Sequence, residues 1–264
     1  MILVLLVGGL GFLWFWNQGD GLTESPTISF SDIRDGKDIT FIAIELAEES
    51  AIPWTKPVDV VYDEQFPNFD DELQLANPAY IALGDGGIFS LPITPEIDRE
   101  TFRKSISISG GKHVVRGDVL KSSSYYPNGK GSSKRQRASN RKDAEAYAQE
   151  ALARVERMKR FRKVMQALHS YHRDKGHLPP AVVYGEDGKP RHSWRVLILP
   201  YMAGQNYIYE QYDFSVPWDA PQNQKILELI PEPYVYGQFP SPTNYDTCIA
   251  LITGEGTAFP LTSQ

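Results

Sequence analysis

Cysteine is nearly absent. Cys248 stands alone in 264 residues, so no internal disulfide can form and cysteine usage says nothing about the redox compartment. Its neighbours, YDTCIALIT, are apolar, which suits a small core residue better than a reactive thiol. No H-E-x-x-H pair occurs, and no cysteine set is available to hold zinc. No Ser-His-Asp set stands out, because Ser193 beside His192 is adjacency, and adjacency does not aim a hydroxyl at a ring. Gly84, Gly86 and Gly87 lie between two apolar runs rather than ahead of a helix, so they form no phosphate cradle. Lysine and arginine are missing around the N-terminal apolar run, and with them the basic start of a secretory signal; a small-residue cleavage site is missing too. The chain reads as a non-enzyme with no cofactor and no metal.

What is present is enough for a folded body. An apolar content of 41% supports one good-sized core or two modest ones, and a charged fraction of 23% is ordinary for a globular chain. The net charge of −6 and pI near 5.4 give no overall pull toward nucleic acid or anionic lipid. The charge is uneven, however, with twelve Lys or Arg against four acidic residues in the segment 130–163. Lys134, Arg135, Arg137, Arg141 and Lys142 cluster there as a lipid-headgroup or nucleic-acid patch would. The plainer reading is a solvated helix face plus a polar tail, since Tyr125 and Tyr126 give little aromatic interleaving.

The run ILVLLVGGLGFLWFW, residues 2–16, reads as an uncleaved membrane anchor, with a signal segment as the alternative (segment 1–18). At 1.5 Å per residue it spans roughly 23 Å, short of the ~30 Å hydrocarbon layer unless its flanks or the bilayer adjust. Residues 22–115 read as a β-rich half. ITFIAIEL (residues 39–46) is apolar on both faces, as a central strand is. WTKPVD, Trp54 to Asp59, reads as a surface loop. Asp85 and Gly86 predict a hairpin turn of type I′ between YIAL and IFSL. A short helix with Asp98 as N-cap buries Phe102 and Ile106. Residues 116–140 are a flexible basic linker.

The remaining half, 141–264, opens with a helix from Arg141 to Lys175, capped by Asn140 and stopped by Gly176. Tyr147, Ala151, Val155, Met158, Phe161, Met165, Leu168 and His172 make one apolar stripe along it. His169 and His172, one turn apart, with His177 downstream, invite a metal reading, and a metal-dependent hydrolase is the rival function they define. The stretch from His192 to Asp219, HSWRVLILPYMAGQNYIYEQYDFSVPWD, holds two tryptophans, four tyrosines and a phenylalanine. So much aromatic surface is core, and Trp194, Tyr201, Tyr209, Tyr212, Phe214 and Trp218 are its structural candidates. Asn223 to Ile230 reads as a short helix, and Tyr234 to Tyr236 and Tyr245 to Thr253 as strands. The sum is an α+β arrangement.

The H-S-W-R-V-x-x-L-P-Y run, the Y-x-x-Y-D-F-x-x-P-W-D run and Gly254 to Pro260 resemble a planctomycete pilin-like family, domain of unknown function 1559. So does the segment Leu168 to His172 at the end of the long helix. The resemblance implies a long helix laid on an antiparallel sheet, on the membrane and outside the cytoplasm, in a structural or interaction role. Residues 28–59, the hairpin and IDRETFRKSI resemble the part that follows Gly-Thr-Ala-Phe-Pro in the family, yet here they come first. The module therefore reads as circularly permuted, with the tail of one module joined to the head of another as the alternative. Three family features have no match: a cysteine pair, where Arg157 and Gly237 stand; the histidine ten residues before Asp85, where Leu75 stands; and the pilin processing signature in the apolar run.

Overall fold

The structure, a computed structural model, describes residues 22–38, 40–62, 75–76, 79–91, 99–108, 141–235 and 245–261. The apolar run 2–16, the linker 116–140 and the caps expected at Asp98 and Asn140 lie outside the described residues.

Strand β2 (Phe41–Glu45) is central, and all five of its residues are buried. It lies between β10 (Ile249–Thr253) and β5 (Ala79–Leu83) in a five-stranded sheet edged by β4 (Val60–Val61) and β6 (Ile88–Leu91). The pairs β10–β2, β2–β5 and β5–β6 are antiparallel, and β4 joins β10 in parallel. Leu251 stands opposite Ala43 and Ala250 opposite Ile44, so the segment ITFIAIEL pairs with YDTCIALIT across the whole chain. Two smaller sheets repeat that pattern. β1 (Thr23–Glu24) pairs with β7 (Val182–Tyr184), which pairs in turn with β8 (Pro190–Ser193), and β3 (Ile52–Pro53) pairs with β9 (Asp246–Thr247). Every sheet thus takes strands from both sides of the linker, and neither half closes a core without the other.

A helix covers each face of the main sheet, which is why β2 has no polar face to offer water. On one side, Phe102 and Ile106, in and just beyond α1 (Arg99–Lys104), pack with Phe41, Ile44, Phe89 and Ile252. On the other, α2 (Arg141–Lys175) lays Phe161, Met165 and Leu168 over Ile42, Tyr80 and Leu251. At ~1.5 Å per residue α2 is roughly 50 Å long. It ends at Gly176, whose φ of 83° and N–H bond to His172 O form a left-handed C-cap. The apolar stripe is buried only from its middle onward: Ala151 and Val155 are exposed, because the sheet does not reach under the first half of the helix.

Several expectations are corrected. Trp54, Thr55 and Asp59 are buried rather than lying in a surface loop, with Trp54 stacked on Tyr234 and donating to Leu227 O at 3.2 Å. The Asp85-Gly86 hairpin is not type I′. Gly86 alone among its glycines has a positive φ, and Gly86 N–H to Leu83 O with Leu83 N–H to Gly87 O define a three-residue loop. Residues Glu232–Tyr234 form a 3-10 turn rather than a strand, while Tyr236 lies outside the described residues. The span 245–253 divides at Cys248 into β9 and β10. The span expected as one helix divides into a short helix, Pro221–Gln224, and a 3-10 turn, Leu227–Leu229.

Candidate functional site

The aromatic block is organised around an ion pair. Ser193 ends β8 and caps α3 (Trp194–Leu197), its hydroxyl accepting the Arg195 N–H. That short turn sends Trp194 and Arg195 inward together, both with no exposed surface. Arg195 Nη2 lies 2.8 Å from Asp59 Oδ1 and 2.7 Å from Ile249 O, and its Nη1 reaches Val58 O and Ser193 Oγ. The Trp194 indole N–H and the Leu251 N–H also donate to Asp59, and Tyr234 donates to Arg195 O. Burial pushes the Asp59 carboxyl up, against the opposing pull of Arg195 and these donors. One guanidinium therefore ties together residues 56–59, the aromatic block and β10.

The six aromatic candidates separate in this frame. Trp194 and Tyr212 are buried in the main core, while Tyr201, Tyr209 and Phe214 pack partly buried against it. Trp218 is half-buried and outside both core clusters, joined through its N–H to Arg191 O. His192 sits among Tyr212 and Phe214. Its Nε2–H donates to Phe214 O and its Nδ1 accepts from the Tyr212 hydroxyl, and burial holds the ring neutral by lowering its pKa to about 4. Trp54 and Asp59, expected in a surface loop, and Tyr234, expected in a strand, belong to this site together with Arg195.

The histidine trio does not converge. His172 Nε2 accepts the Phe30 N–H at 3.1 Å and meets the Ser29 hydroxyl at 2.9 Å, so it caps the turn Phe30–Asp32. His177 uses Nδ1 on Leu178 O. Among the described residues no three His, Cys, Asp or Glu side chains are grouped to hold a metal ion. Because His172 works as an acceptor, its neutral form is favoured and its pKa falls through burial and Lys37. The stability it contributes is complete above about pH 6.5 and is lost as pH drops through the lower folded value. His172→Ala is expected to cost about 1–2 kcal/mol at about pH 7.5 and to flatten this acid loss, as read by urea denaturation at about pH 7.5 and about pH 4.5.

His169 differs. Its ring stacks on Phe30 at 4.5 Å, and its Nε2 is buried without a hydrogen-bond partner among the described residues. A Cβ on Gly86 would stand 3.6 Å from that nitrogen, so the Asp85-Gly86 turn closes over His169. Burial lowers the His169 pKa, His172 adds to this and Asp85 opposes it. The ring forms part of an open groove of about 1140 Å3 along the flank of α2. Phe161, Val164, Leu168 and Tyr171 point to the core, which leaves Arg162, Gln166, His169, Ser170 and Arg173 on the groove side. The opposite wall is the segment 201–205 with Glu232 and Pro233. Tyr201 packs edge-on against Tyr171 and donates to Asp174, and Glu232 is engaged by Lys163 and Arg160. No hydroxyl or thiol nucleophile paired with a base lines this groove among the described residues.

The fold is α+β, a mostly antiparallel sheet with a long helix across one face. Residues 147–241, which carry most of that helix and all of the aromatic block, match the family described as protein of unknown function (DUF1559). No curated protein and no solved structure matches the chain. Among the described residues no helix is long and apolar enough to cross a membrane.

Proposed function

We propose that this protein is a membrane-anchored, extracytoplasmic, pilin-like module with a structural or interaction role, its two halves in exchanged order. The observation that carries the reading is a helix of 35 residues laid over a sheet whose strands come from both sides of the linker. Exchanged order fits that interleaving: two pieces of one module share each sheet, whereas two separate modules would leave strand edges unpaired. The anchor is assigned to the apolar run 2–16, whose tryptophans Trp14 and Trp16 suit a membrane interface.

Fractionation tests the anchor. The full chain is expected in the membrane pellet after an alkaline wash and to be cleaved by protease added to spheroplasts. Recovery in the soluble cytoplasmic fraction would overturn the reading.

A further inference from the structure

We propose that the groove along α2 binds an extended acidic peptide, with carboxylates about five residues apart. This deepens the interaction role and does not depend on the anchor. Arg162 and Arg173 mark the two ends of the helical wall, eleven residues and therefore about 16 Å apart. Five residues of extended chain at ~3.3 Å each cover that distance. Among the described residues Arg162 has no acidic partner and Arg173 reaches only the Ser170 hydroxyl, at 3.3 Å. Lys163, by contrast, is committed to Glu232.

Between the two arginines the lining suits a peptide backbone. Gln166, Gln205 and Ser170 can donate and accept. The groove is open and long rather than enclosed, which suits a strand better than a compact metabolite. Its charge is mixed. Asp85 and Glu232 also line it, so a uniform polyanion such as nucleic acid meets repulsion, whereas a peptide offers N–H donors to those carboxylates.

The test is fluorescence anisotropy with the purified full chain and labelled Gly/Ser octapeptides. One carries Glu at positions 2 and 7, one carries Glu at positions 4 and 5, and one carries Gln at 2 and 7. The spaced acidic peptide is expected to bind at least tenfold more tightly than either control. Arg162→Gln and Arg173→Gln should each weaken it about tenfold, while Lys189→Gln, in the exposed turn between β7 and β8, leaves it unchanged. Gln166→Glu, on an exposed position, is a second probe expected to weaken binding. Equal affinity for all three peptides, tighter binding of polyphosphate, an equal loss with Lys189→Gln, or no binding overturns the proposal. None of these results bears on membrane fractionation, so the two readings fail separately.

Discussion

Arg195→Ala is expected to destabilise the protein by about 3–5 kcal/mol, the range for removing one partner of a buried ion pair. The loss exceeds that of a single contact because the guanidinium is fully buried and leaves several groups without their donor. The Asp59 carboxylate, Ile249 O, Val58 O and Ser193 Oγ all lose a hydrogen bond at once, in a site closed to water. The face of Trp194, which lies 4.8 Å from the guanidinium, loses its cation. Asp59→Ala should cost a similar amount, since Arg195, Trp194 and the Leu251 N–H then lose their shared acceptor. Combining the two substitutions should cost clearly less than their sum, because each single change already strands the other charge. Urea denaturation followed by tryptophan fluorescence reads all three variants. A loss below 1 kcal/mol for Arg195→Ala, or strict additivity, would show that the pair does not hold the two halves together.

That ion pair also marks where reading the sequence stopped. A central strand was legible in ITFIAIEL because covering both faces of a strand requires apolar residues on both, a local property. The end of α2 was legible at Gly176 for the same reason, since a left-handed cap needs a residue without a Cβ. Asp59 and Arg195 are 136 positions apart, and no periodicity links them. The available signal was weak: an arginine inside the apolar run W-R-V-L-I-L and an aspartate next to V-V. Trp54 within WTKPVD was the better clue that this segment turns inward, because its surface outweighs the polar residues around it. Periodicity likewise showed which face of α2 is apolar without showing how far the sheet extends beneath it, so Val155 was read as buried. In the groove, His169 was singled out for a metal, while Arg162 was lost in a segment where twelve residues are basic. Only packing separates the arginine with no acidic partner in the described structure from those that meet Glu45 or Glu232.

The second large effect concerns pH, and it comes from two buried groups with opposite slopes. Glu45 is 3% exposed and accepts the Tyr80 N–H, with Arg157 Nε at 3.9 Å. Burial outweighs the opposing Arg157 charge and pushes its carboxyl up to about 7 from 4.5. Between those values the unfolded chain releases a proton that the folded chain retains, so stability falls as pH rises. His192, with no exposed surface, is displaced the other way, to about 4 from 6.5. Over that window the unfolded ring takes up a proton that the folded ring refuses, so stability falls as pH drops. Each displacement is worth about 3 kcal/mol across its window, at about 1.4 kcal/mol per tenfold change in proton affinity. The windows overlap, and these two contributions largely cancel between pH 4.5 and 6.5. Glu45→Gln keeps an acceptor for Tyr80 N–H while removing one of the two slopes. Relative to the parent, the variant should gain about 3 kcal/mol of stability between pH 4.5 and 7, and should exceed it at pH 8. His192→Gln should show the reverse tilt. Urea midpoints taken at half-unit steps of pH decide the matter. Parallel curves for parent and Glu45→Gln would mean that this carboxyl does not hold its proton in the folded protein.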